Sequence, residues 1–100
     1  AYEYLMSWYG VNADRFKDSA YPERYGMVDG GVIYVYPTIF DKAMKEGGFN
    51  PNRMLRDWAE RGWIETEMTD GKTRFKVRKY DRGLGKQTRF VGIRSDAIVD

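Results

Sequence analysis

The residues with the clearest chemical implication stand at every second position of one segment. In residues 73–80, TRFKVRKY, Arg74, Lys76 and Arg78 alternate with Phe75 and Val77. On an extended strand alternate side chains share a face. Three cations would project from one side, and two apolar residues would meet a core on the other. A row of cations suits phosphates, because each phosphate neutralised releases counterions and adds affinity. The surroundings strengthen this reading. Residues 71–94 hold nine basic groups (Lys72, Arg74, Lys76, Arg78, Lys79, Arg82, Lys86, Arg89, Arg94) and one acid, Asp81, a net +8 in a chain whose total is +2. Lys72, Arg74, Lys76 and Arg78 are the candidate phosphate contacts, with Lys79, Arg82 and Lys86 assisting. A short exposed strand kept soluble by Lys and Arg has the same pattern. Nine bases against one acid favour an anionic partner.

Other chemistry finds less support. Glu65 and Glu67 share a strand face as a possible carboxylate pair, but the chain has no His and no Cys. That removes the commonest general base and the usual third metal ligand, so a solvated strand face is the better account. RGLGKQT, residues 82–88, looks at first like a phosphate loop. The P-loop pattern needs Gly at 80 and Ser or Thr at 87, where Tyr80 and Gln87 stand. A Gly-rich β-turn explains those residues. No cofactor is called for, and no small-molecule substrate. No apolar run approaches the length of a membrane span and no signal peptide is visible. Absence of Cys is compatible with the cytoplasm. The first residue is Ala, which fits a segment of a longer protein.

The charge is segregated along the chain. Residues 1–70 carry eight basic and twelve acidic groups, a net −4, ahead of the basic quarter. Eight Tyr, five Phe and three Trp supply large rings for a small core, and exposed rings can stack on bases. Trp58 falls on an apolar stripe and belongs to the core. Tyr34, Tyr36 and Tyr80 are the candidates for exposed rings.

The elements that must position the cations follow in order. Residues 1–16 read as a helix with Leu5, Trp8, Tyr9 and Phe16 on one face. Residues 17–26 are a polar loop containing Pro22. Two short extended runs flank Asp29-Gly30-Gly31, a hairpin signal, with Ile33 and Val35 on one face and Val32, Tyr34 and Tyr36 on the other. Pro37-Thr38 opens a helix, with Thr38 and Asp41 in a capping pattern and Ile39, Phe40, Ala43 and Met44 on its apolar stripe. Gly47-Gly48 closes it. Asn50-Pro51 caps the helix 51–61, whose buried side is Met54, Leu55, Trp58 and Ala59, and Gly62 stops it. Residues 63–68 form a strand, Asp70-Gly71 a turn, 73–80 the returning strand, 81–86 a loop and 87–93 a third strand. Helix, short strand, two helices, then a basic β-hairpin wing with an extra strand is the order of an α+β winged helix-turn-helix. Residues 1–100 would form one such domain.

In that fold the helix 51–61 is the recognition helix. Asn52 and Arg53, near its N-terminus, and Arg56 are the candidates for groove contact. Arg53–Asp57 and Arg56–Glu60 are each spaced for a salt bridge within the helix, which would leave a neutral outward face. The wing would then supply most of the affinity. The same residues would serve duplex or single strand, DNA or RNA.

One family resemblance rests on Ser7-Trp8 with Asn12 and Phe16, on Tyr25-Gly26 before the Asp29-Gly30 turn, on the aromatic-Pro step into the helix at residue 37, on Gly48-Phe49-Asn50, and on LRDWAERGWI, residues 55–64. Over roughly residues 1–65 the chain resembles the C-terminal region of a bacterial helicase-like family, domain of unknown function 927, found on plasmids, phages and mobile elements. The resemblance implies a winged-helix end appended to an ATPase, with any ATP chemistry elsewhere in the parent. It also implies a second kind of partner: the module could dock on the parent ATPase or a neighbouring subunit instead of on nucleic acid.

Overall fold

The computed structural model of the chain describes residues 1–18 and 23–96; Pro22 and the middle of its expected loop, residues 19–22, lie outside the described residues. The opening helix α1 spans Tyr2–Val11. It stops at Asn12, and a 3₁₀ turn over Ala13–Phe16 follows, so the single helix expected over 1–16 is two pieces. The break swings Phe16 into the core, edge-on to Trp8 (5.9 Å) and Tyr9 (5.0 Å). Strands β1 (Gly26–Asp29) and β2 (Val32–Val35) pair antiparallel across Gly30 and Gly31. Both glycines have positive φ (58° and 78°), as a tight hairpin turn requires.

Helix α2 (Pro37–Glu46) starts two residues earlier than its capping pattern implied. Tyr36 is the N-cap and makes no side-chain cap bond. Proline's fixed φ and missing N–H suit the first helical position, so Pro37 takes it and Thr38 falls inside the helix. Residues 47–50 turn the chain into α3 (Pro51–Arg61), where Asn50 Oδ1 accepts the Arg53 N–H at 3.2 Å. A Cβ on Gly47 would lie 2.6 Å from the Tyr4 ring, so this turn is bare in order to let α1 pack against it. Phe40, Met44, Leu55 and Trp58 are buried between the helices and the sheet.

The last strand, β6 (Lys86–Arg94), organises the sheet, whose order is β1-β2-β6-β5. One edge of β6 pairs with β2 through residues 91–94. The other edge is shared. Its first half pairs with β5 (Val77–Asp81). Its second half takes the chain leaving α3, with Ile64 opposite Ile93, the Glu65 N–H donating to Gly92 O (2.8 Å) and the Arg94 N–H donating to Trp63 O (2.9 Å). Between those two stretches the chain loops out as a separate hairpin, β3 (Glu67–Thr69) and β4 (Lys72–Arg74), turning at Asp70-Gly71. This hairpin is the wing.

The strands expected over 63–68 and 73–80 are therefore interrupted. Ile64 bridges β6 on its own, and 73–80 breaks at Phe75-Lys76 into the end of β4 and all but the last residue of β5. The cause is a change of partner: β4 can pair only with the three-residue β3, whereas the free half of β6 offers five positions to β5. The break also separates the two apolar residues. Phe75 packs with the helical core, while Val77 joins Met27, Tyr34 and Phe90 in a second cluster on the far side of the sheet. The sheet is thus apolar on both faces, with Ile33, Val35, Val91 and Ile93 toward the helices.

The turn joining β5 to β6 is fixed by a buried ion pair. Arg24 Nη1 donates to Asp81 Oδ1 at 2.7 Å, and both side chains are almost wholly buried. The Tyr36 hydroxyl donates to Asp81 Oδ2, and the N–H groups of Gly83 (2.9 Å) and Leu84 (3.3 Å) donate to Oδ1. A Cβ on Gly83 would strike the Arg24 guanidinium at 2.0 Å. Burial by itself raises the Asp81 carboxyl pKa. The bonds from Tyr36 and Arg24, the Arg24 charge and the Gly83 N–H outweigh it and hold the group below its ordinary value. In the unfolded chain Asp81 binds its proton near pH ~3.9, so below that the unfolded state takes up a proton that the fold resists. The stabilisation is complete above that pH and is lost as pH falls toward the folded pKa. We expect the denaturation midpoint to drop between pH 5 and pH 3, and Asp81→Asn to be less stable at pH 6 with a flatter acid limb. Thermal unfolding followed by circular dichroism across that range checks this; equal acid limbs would refute it.

Candidate nucleic-acid interface

Beside the N-terminus of α3 lies an open groove of about 500 Å³. Asn52 and Leu55 of α3 form one wall, Thr69, Thr73 and Arg74 of the wing the other, and Lys76, Arg78 and Arg89 the floor with Phe75. Four of its residues were expected from sequence: Asn52, Arg74, Lys76 and Arg78. Its one carboxylate, Glu67, accepts the Arg78 backbone N–H at 3.0 Å, tying the base of the wing to β5. The four cations have no ion-pair partner among the described residues. The first-turn N–H groups of α3 add a fixed positive end close by.

The three cations of 73–80 do not form a comb on one strand. Arg74 ends β4, Lys76 sits in the break, and Arg78 is on β5; the groove, not a strand face, brings them together. Lys72 stands at the wing turn. Lys79 lies on the opposite face of the sheet, 3.1 Å from Asp29 and 5.1 Å above the Tyr34 ring. Arg82 is 3.0 Å from Asp18. These two are neutralised by acids from the acidic part of the chain. Lys86 is exposed at the far end of the β5–β6 hairpin.

On α3 the expected pairs Arg53–Asp57 and Arg56–Glu60 are not made. Asp57 instead meets Arg61 at 3.3 Å, and that guanidinium also lies 4.8 Å over the Trp63 ring. An acid one turn before a base is the favoured order along a helix, and the indole adds a second attraction for Arg61. Arg53 and Arg56 are exposed and lack an ion-pair partner among the described residues. Arg56 follows Asn52 by one helical turn along the same stripe, whereas Arg53 is a quarter-turn round.

Glu65 and Glu67 part company. Glu65 accepts the Tyr34 hydroxyl at 2.8 Å, and Glu67 holds the wing, so neither is a merely solvated face. Tyr34 is buried; that burial first, then the bond and charge of Glu65 and the charge of Asp29, push its phenol well above the usual range, so it remains a donor. Tyr36 stacks on Phe90 at 5.3 Å. Of the three rings expected outside, Tyr80 alone is exposed. Trp58 is core, as expected.

Arg89 was not singled out from sequence. Counting outward from the loop 81–86 puts Tyr80 opposite Gln87 and Arg78 opposite Arg89, which is the observed register. That count was the available signal. Like charges directly opposite on a sheet destabilise it. We expect Arg89→Glu to raise the melting temperature by a few degrees while weakening binding of a polyanion; thermal melts with and without heparin measure both, and a lower melting temperature would contradict the repulsion.

Two helices joined by a tight turn, followed by a basic hairpin beside the second helix, define a winged helix-turn-helix. The particular family is shown as well: the profile of the Cch helix turn helix domain matches residues 1–97, and the chain belongs to that family. No curated protein and no solved structure matches it. No helix among the described residues is long and apolar enough to cross a membrane, and among them no three His, Cys, Asp or Glu side chains gather as a metal site.

Proposed function

We propose that this chain is a non-catalytic DNA-binding module that grips phosphates in the groove between α3 and the wing. One observation carries the reading: four cations that folding leaves without acid partners, Arg74, Lys76, Arg78 and Arg89, converge beside Asn52 and the N-terminus of α3, whereas Lys79 and Arg82 are paired elsewhere. Phosphate contacts of this kind position a protein on DNA without reading sequence, so the wing supplies affinity and Asn52 and Arg56 supply what base contact there is. The likeness of residues 1–65 to a helicase-like family supports a place at the end of a helicase-like ATPase of a plasmid or mobile element, whose motor would hold the ATP chemistry.

Anisotropy titration of a labelled duplex at several salt concentrations tests the reading. The wild type should bind with an affinity that falls steeply with salt. Arg74→Glu with Lys76→Glu should weaken binding to all sequences alike and flatten the log–log salt slope by about 0.9 for each phosphate no longer neutralised. Arg82→Ala, whose partner is Asp18, should change little. Unaltered binding in the double variant would sink the groove; no binding even at low salt would turn the groove toward a protein partner such as the parent ATPase.

A further inference from the structure

We propose that the outer end of the β5–β6 hairpin holds an unpaired nucleotide, its base stacked on Tyr80 next to Arg78 and Arg89; this rests on the phosphate-gripping reading above. Register and pleat place the parts. Arg78 is opposite Arg89 and Tyr80 is opposite Gln87, so these four share the helix-side face of the sheet. Lys79 and Asp81 point to the other face, where Asp29, Tyr34, Arg24 and Tyr36 engage them. The helices cover this face only as far as the groove, which Arg78 and Arg89 line. Tyr80 lies one same-face step further out, about 7 Å along the strand. That is close to the length of one nucleotide in an extended strand.

The exposure of Tyr80 is unusual here. It is 52% exposed, and every other aromatic ring among the described residues is buried or half-buried. Its neighbours are chemically suited to a nucleotide: two arginines without acid partners for the flanking phosphate, and the exposed Gln87 amide, a donor and an acceptor within reach of a base edge. β5 is the edge strand of its sheet, so a strand of nucleic acid can approach from the side. A base inside a duplex has both faces covered. A ring in this place therefore serves a base that has left the stack, at a duplex end or fork.

The test uses three labelled DNA substrates of equal duplex length: blunt, with a single-stranded tail, and with an abasic tail that keeps the phosphates. The wild type should bind the base-bearing tail about 5- to 150-fold tighter than the abasic one, the range for one stacked base. Tyr80→Ala should erase that preference and leave blunt-duplex affinity unchanged, and Tyr80→Phe should keep it. Equal binding of the two tails, or equal loss on all three substrates in Tyr80→Ala, would overturn the stacking site and leave the groove standing. No binding of any substrate would overturn both.

Discussion

Strand β6 is a single backbone edge shared by two segments of chain, and the rest of the molecule is arranged around that sharing. Its inner half is claimed by residues 63–65, which anchor the exit of α3 to the sheet. Its outer half is claimed by β5. Backbone N–H and C=O groups on a partly buried strand need partners, so both halves are filled, and the eleven residues between the two claims have nowhere to go but outward. The wing is the result. Its base is clamped by Glu67 on the Arg78 N–H, and the turn beyond β5 is clamped by Asp81.

Folding then sorts the charge. Written out linearly, the chain is an acidic stretch followed by a basic one. In three dimensions some acids reach across: Asp29 to Lys79, and Asp18 to both Arg82 and Arg24. These pairs lie on the far face of the sheet or at its end. Four of the cations left without partners, Arg74, Lys76, Arg78 and Arg89, are gathered on the helix side, next to α3. A surface ion pair is worth little to stability, so the value of this sorting lies in the potential it leaves behind. The two faces of one strand, β5, carry opposite fates: Lys79 is neutralised, while Arg78, one residue earlier, is not.

Much of this was legible in the sequence where the signal is local. Asn50-Pro51 and Gly62 bracket α3, and Asp29-Gly30-Gly31 and Asp70-Gly71 mark their turns, because caps and turns are set by a few neighbouring residues. The charge imbalance marked the quarter of the chain that supplies the four cations of the groove. What could not be read was long-range. The break at Phe75-Lys76 depends on which edge of β6 is free, and the pairing of Arg82 with Asp18 joins residues 64 apart. The Arg53–Asp57 spacing was a fair local cue, but Arg61 competed for the same carboxylate with help from Trp63. Thr38 and Asp41 had the capping pattern, and Pro37 displaced it.

The shared edge of β6 also makes wing length a nearly free variable. Both ends of the excursion are fixed by the sheet, at Glu65 and at Val77, and its turn at Asp70-Gly71 touches solvent. Closing a flexible loop between fixed ends grows costlier only slowly, by about 0.6 kcal/mol for each doubling of its length. Residues could be added or removed at that turn in two-residue steps, keeping the strand register, without disturbing the helices or the core. Reach can therefore change independently of stability, and relatives of this chain could span substrates of different depth on one unchanged frame.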